Sequence, residues 1–185
     1  MIGVLWIVLI VIAIIVVAII GLYNSLIGLR NQIKNSWAQI DVQLKRRADL
    51  IPNLIESVKG YMKHEKGVLT ELTKARTAFL SADTMDKKAK ASNMMSDTLK
   101  SLFAVSENYP QLRANENFMQ LQEELTGTEN KIAYSRQHYN DVVMVFNTKI
   151  QTFPNNMIAN SLGFKDEQMF EASEKERENV KVKFD

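Results

Sequence analysis

The sequence contains no cysteine. Disulfides, a thiolate nucleophile, a cysteine–zinc centre and a lipidated cysteine are thereby excluded, and nothing follows about compartment. Three prolines and seven glycines in 185 residues are too few for a many-stranded protein full of turns. A net charge of +2 gives no bulk attraction to nucleic acid, so no nucleic-acid partner is expected. The last absence is local: residues 1–22, MIGVLWIVLIVIAIIVVAIIGL, hold no charged side chain.

About 20 apolar residues in a helix cross a ~30 Å hydrocarbon core. A cleaved signal peptide fits less well. No Lys or Arg precedes the run, the run is too long, and no small-residue cleavage site follows it. A buried core helix would show some polar positions. The expectation is a retained single-pass anchor that uses the lipid bilayer as its first partner. Arg30 and Lys34 follow the span, then Lys45, Arg46 and Arg47. The positive-inside rule places the body in the cytoplasm.

Beyond the span two apolar series run in step. Trp37, Leu44, Ile51, Val58, Leu72 and Phe79 form one, broken at Glu65. Ile33, Ile40, Leu54, Tyr61, Val68, Ala75 and Ala82 form the other, broken at Arg47. Their alternating spacing is a heptad seam of about seven heptads. The phase does not reset at Pro52, so the pattern predicts one helix over 24–82, bent near Asp49–Pro52 and ~90 Å long. A second helix is capped by Asp83 or Thr84, carries Met95, Leu99, Leu102 and Tyr109, and stops before Pro110. A third is capped by Asn115 and runs to about Phe153, with Phe118, Leu125, Ile132, Tyr139, Phe146 and Phe153 spaced by seven. Its second seam, Leu121, Thr128, Ser135, Val142 and Lys149, is half polar and leaves room for another helix or subunit.

These elements predict an all-α protein: a transmembrane helix over 1–22, an elongated antiparallel bundle of long helices over 23–153, and a tail over 154–185 packed on the bundle or on a neighbouring subunit. The tail is expected to hold a helical turn in MIANSLGF and an edge-type strand or disorder near its end.

Two stretches carry a resemblance. YNSLIGLRNQIKNSWAQIDVQLKRRADLIPNLIESVKGYMKHE resembles the opening of the LemA family. YPQLRANENFMQLQEELTGTENKIAYSRQHYNDVVMVFNTKIQTFPNNMIANSLGF, followed by FEAS, resembles its second hallmark. The similarity runs from about residue 23 to 184. It implies a bacterial single-span protein of the cytoplasmic (inner) membrane, with a long helical domain and a poorly defined molecular function. It brings no agreed catalytic residues. The name is also attached to an unrelated sensor kinase, but this chain has no Gly-rich nucleotide loop.

Chemistry-bearing residues are sparse. A di-iron bundle needs two Glu-x-x-His pairs, yet Tyr61 and Ser135 stand three residues before His64 and His138. HEKGV, residues 64–68, has Val68 where a second histidine ligand belongs. Glu123 and Glu124 are adjacent and diverge on a helix. These carboxylates, with Glu129, read as a solvated face, and no catalytic residue, metal or cofactor is expected.

The run Lys45–Arg47 lies ~35 Å from the membrane end of an upright helix, beyond the ~8 Å Debye length. Arg47 differs from its neighbours because it sits on the seam. It needs a carboxylate or carbonyl partner, in a buried or subunit-facing contact that fixes register. Amide-rich positions such as Asn24, Asn31, Gln32 and Gln39 suit close helix contact or simple exposure. Ile158, Leu162, Phe164, Met169 and Phe170 are apolar outside any seam. They staple the tail to the bundle or to a neighbouring protomer. Arg47, Ile158, Leu162, Phe164 and Phe170 are therefore the candidate protein contacts.

The function expected is a membrane-anchored scaffold or adaptor that binds protein, forms a homo-oligomer and engages a membrane protein partner. Within binding functions the alternative is a regulator of a membrane quality-control protease or envelope-stress system. The competing class is an enzyme with an unrecognised site.

Overall fold

The structure is a computed structural model and describes residues 2–62 and 64–170. Every regular element among them is a helix: α1 (Ile2–Lys59), α2 (Lys66–Leu80), α3 (Met85–Ser106), α4 (Pro110–Arg113), α5 (Glu116–Gln151) and α6 (Asn155–Ser161). The protein is an all-α bundle with one long apolar N-terminal helix. The strand or disorder expected near the chain end falls on residues 171–185, outside the described residues.

The described chain forms two compact units, residues 2–39 with 137–169, and residues 40–136 with Phe170. In the first, α1 and α5 run antiparallel: Trp37 meets Tyr139 edge to face at 5.9 Å, and further along Ser25 meets Lys149 at 2.5 Å. Leu26, Ile33, Tyr139, Val143, Phe146 and Ile150 are buried between them. Residues 2–21 are exposed along their whole length.

The second unit brings together α1 from Ile40 onward, α2, α3 and α5 up to Arg136. α2 runs back along α1, as the Arg76–Ala48 hydrogen bond marks, and α3 returns beside it with Asp41 paired to Lys88. α5 runs antiparallel to α3, placing Phe118 against Phe103 and Glu129 against Ser96. The core is Ile40, Leu44, Ile51 and Leu54 of α1, Leu72 and Phe79 of α2, Met95 and Leu102 of α3, and Phe118, Leu125 and Ile132 of α5.

The single helix expected over 24–82 is two helices. α1 continues through Pro52 to Lys59, and α2, which starts at Lys66, lies back along it. Gly60 is the poor helix former at this point. The phase survives because α2 buries Leu72, Ala75 and Phe79 at the same three-and-four spacing when folded back. Pro52 lacks the N–H that would bond the carbonyl four residues earlier, Ala48. That carbonyl instead accepts from Arg76 Nε at 2.8 Å.

The remaining boundaries lie close to those expected. Thr84 caps α3 by accepting from the Lys87 amide at 3.3 Å, and Asn115 caps α5 by accepting from the Phe118 amide at 3.1 Å. Phe118 through Phe146 face inward, but the second face drifts. Val143 and Ile150 are buried where Val142 and Lys149 were expected, and Phe153 lies past the helix end, 77% exposed. A straight α-helix slips about 20° per heptad against a strict seven-residue repeat, enough to move the buried position by one residue along α5.

Candidate functional site

The second unit has a polar centre around Arg47, which is fully buried on α1. Its Nη1 donates to Glu129 Oε2 at 2.5 Å and to the Ser96 hydroxyl at 2.7 Å. Its Nη2 donates to the Ser92 hydroxyl at 2.7 Å and the Ser92 carbonyl at 3.0 Å. The Ser96 hydroxyl completes the ring by donating to Glu129 Oε1 at 2.8 Å. Ser92 and Ser96 stand one turn apart on α3, each next to an apolar residue, Ala91 and Met95 respectively, and all four are buried. Their small size leaves the volume that a guanidinium needs.

Burial lowers the Arg47 pKa, and the Glu129 carboxylate opposes that shift through its charge and its hydrogen bond. Arginine keeps its proton under any ordinary condition, so the site holds a permanent cation neutralised by one carboxylate. Glu129 is one-third exposed at its side chain, which opens one edge of the pair to water. The arrangement fixes α1, α3 and α5 in register within this unit. A second guanidinium joins it: Arg136 Nη2 donates to the Ser92 hydroxyl at 2.7 Å and stacks over the Phe170 ring at 4.4 Å. Two residues singled out from sequence, Arg47 and Phe170, thus connect through Ser92 and Arg136.

Glu129 was expected to be part of a solvated carboxylate face and is instead the partner of Arg47. Glu123 and His138 are exposed and Glu124 is half-buried. Among the described residues no three His, Cys, Asp or Glu side chains stand together as a metal site. The basic run divides sharply, with Lys45 and Arg46 in solvent and Arg47 inside.

The first unit carries a cap at the end of α5. α6 closes with Gly163 at φ 75°, where the Phe164 amide donates to the Ala159 carbonyl at 3.0 Å and the Gly163 amide to the Asn160 carbonyl at 3.2 Å. This Schellman closure needs the left-handed conformation that glycine adopts freely. It turns Phe164 inward against Tyr23 and Phe146, with ring centroids at 6.2 and 6.3 Å, and beneath the Arg30 guanidinium at 5.5 Å.

The chain then runs back along α5 as an extended strap. Gln151 holds the Asp166 carboxylate, the Asn147 amide clamps both backbone groups of Glu167 at 2.9 Å, and the Tyr139 hydroxyl donates to the Gln168 carbonyl at 2.9 Å. A shallow cleft of ≈ 440 Å³ opens between Gln151, Asn156, Asn160, Lys165 and Asp166.

Of the residues picked out in the tail, Phe164 and Phe170 are buried, Ile158 is half-buried, and Leu162 and Met169 are exposed. Sequence reading missed Asn147, Ser92 and Ser96. The serines had a legible signal, since small hydroxyl residues one turn apart occupy the buried face of α3. Asn147 had none, because a lone asparagine on a polar helix looks like any surface residue.

The LemA family model matches residues 36–184, which include the Arg47 centre, the cap and the strap. The chain belongs to the LemA family. Among its relatives, Protein LemA of Metamycoplasma hominis is 28% identical over 162 residues, covering 87% of this chain and 74% of that one. The magnetosome proteins MamQ 1 and MamQ 2 of Paramagnetospirillum magneticum are each 22% identical over 175 residues. Those alignments cover 80% of this chain and 64% of each MamQ protein, so the chain spans less than two thirds of their length. The LemA match begins after the apolar stretch of α1.

Proposed function

We propose that this LemA family protein is a single-pass, membrane-anchored helical scaffold or adaptor that acts by binding protein and assembles with copies of itself. The observation that carries this reading is the apolar stretch at the start of α1. It is long and apolar enough to cross a membrane, and none of the most apolar window is covered by the rest of the protein. A helix this apolar in a soluble core would be enclosed, and an uncovered one calls for lipid.

Arg30 and Lys34 after the span favour a cytoplasmic body, at the inner membrane of a bacterium. Confinement to a plane raises the effective concentration of protomers, so modest contacts suffice for assembly. Arg47, Phe164 and Phe170 serve by fixing the shape of the helical body, while Ile158 and Leu162 keep surface for contact. The buried ion pair is a register device rather than a reactive centre, since the Arg47 cation is already paired with a carboxylate and its two terminal nitrogens are bonded to Glu129, Ser92 and Ser96.

The deciding experiment is the mass and particle shape of the full-length protein in mild detergent, by light scattering and electron microscopy. A uniform closed assembly is the expected result. A lone monomer would overturn self-assembly as its mode of action.

A further inference from the structure

We propose that the cap at the end of α5 is itself a membrane-contacting surface: Phe153, Met157 and Leu162 insert into the lipid interface beside the point where the anchor leaves it. The inference rests on the membrane-anchor reading above and assigns part of the tail's exposed apolar surface to lipid rather than to protein.

The geometry lies wholly within the first unit. α5 descends antiparallel to α1, and Lys149 touches Ser25 at 2.5 Å. Four residues of helix cover about 6 Å. The end of α5 and the turn after it therefore carry Phe153 to the level of residues 21–22, where the uncharged run ends. The Tyr23–Phe164 ring contact fixes α6 and its exit at the same level.

At this level the cap presents large apolar side chains outward. Phe153 is 77% exposed, Met157 66% and Leu162 46%. Single exposed apolar residues are ordinary on a protein surface. Three within ten residues, at the height where acyl chains begin, are a different case.

The surroundings fit an interface rather than a docking groove. Tyr23, at the boundary, is 43% exposed, as an aromatic at headgroup depth would be. Lys165 is exposed on the cleft beside α6, within reach of headgroup phosphate. α6 buries Ala159 and shows solvent a mixture of amides and apolar groups, the composition of a segment lying in the interfacial plane. Insertion there needs no shape-matched partner.

The absence of cysteine makes the test direct. Phe153→Cys, Met157→Cys and Leu162→Cys would each carry a nitroxide in the full-length protein reconstituted in phosphatidylcholine vesicles. Ile12→Cys reports the span, and Gln137→Cys, exposed on α5, reports water. Power-saturation EPR with oxygen and a water-soluble nickel reagent measures depth. The expected result is an oxygen-to-nickel accessibility ratio several-fold higher at 153, 157 and 162 than at 137, and in the direction of position 12. If position 12 is in lipid while all three cap positions match 137, the inference is overturned and the anchor stands. If position 12 is itself aqueous, the anchor reading fails and the inference falls with it. Dipolar broadening between cap labels, with both reagents excluded, would overturn lipid contact in favour of contact between copies.

Discussion

Arg76 Nε of α2 donates to the Ala48 carbonyl of α1 at 2.8 Å, the carbonyl that Pro52 leaves without its helical partner. The proline that would ordinarily break a helix is accommodated by a side chain from the next one. The exchange also ties the α1–α2 hairpin together, because the replacement donor is available only once α2 has folded back.

This coupling predicts non-additivity. Arg76→Ala should destabilise the protein by about 1–2 kcal/mol, the usual cost of an unmet buried acceptor. In a Pro52→Ala background the restored amide takes the Ala48 carbonyl, and the same Arg76→Ala change should cost markedly less. A denaturant double-mutant cycle measures the difference. Equal costs in both backgrounds would show that the two residues do not share that carbonyl.

The Arg47 centre predicts an asymmetry. Glu129→Ala leaves a fully buried cation with only hydroxyl and carbonyl acceptors. It should cost up to about 3 kcal/mol, the low end for a broken buried pair because Glu129 is partly hydrated. The double variant Arg47→Leu with Glu129→Leu removes both charges and should recover much of that loss. Chemical unfolding of the three proteins decides it. A double variant less stable than Glu129→Ala would mean that the guanidinium's bonds to Ser92 and Ser96 dominate.

Asn147 holds the strap by one donor and one acceptor, so its two neighbours in chemistry should separate. Asn147→Asp keeps the acceptor for the Glu167 amide and loses the donor. Asn147→Ala loses both and should cost about 1–2 kcal/mol locally. Hydrogen exchange at Glu167 and Gln168 should rise in that order, and equal protection in all three proteins would remove the clamp from the account.

The Lys87 side chain, first, and local backbone amides hold the Asp83 carboxyl below the ordinary carboxylate range. A carboxylate whose folded pKa is depressed contributes stability above its unfolded value and loses it as pH falls through the folded one. Asp83 should therefore stay ionised into the acid range, and Lys87→Ala should bring its titration back up. NMR titration of the carboxyl carbon reads both, and an unchanged midpoint in Lys87→Ala would rule out the pair.

Helix content, the apolar run and the long faces of α1 and α5 were legible because each repeats a pattern many times. The Gly60 reversal was not, since two antiparallel helices with the same spacing look continuous when only phase is read, and the stronger helix breaker in that stretch, Pro52, lies inside α1. Arg47 stood out as a charge on an apolar seam. Glu129, Ser92 and Ser96 did not, because which helix lies opposite is a tertiary fact. Val143 and Ile150 escaped a strict heptad count because the α-helical period drifts against a seven-residue repeat.

The Asn147 clamp grips Glu167 only through backbone atoms. Any residue except proline presents the same amide and carbonyl, and the Glu167 side chain adds only a part-exposed pairing with Arg30 at 3.8 Å, a kind of contact worth little, so the clamp is largely insulated from the spelling at that position. Substitutions at 167 can accumulate by drift without shifting the register, and a reporter group placed there would ride on a defined backbone.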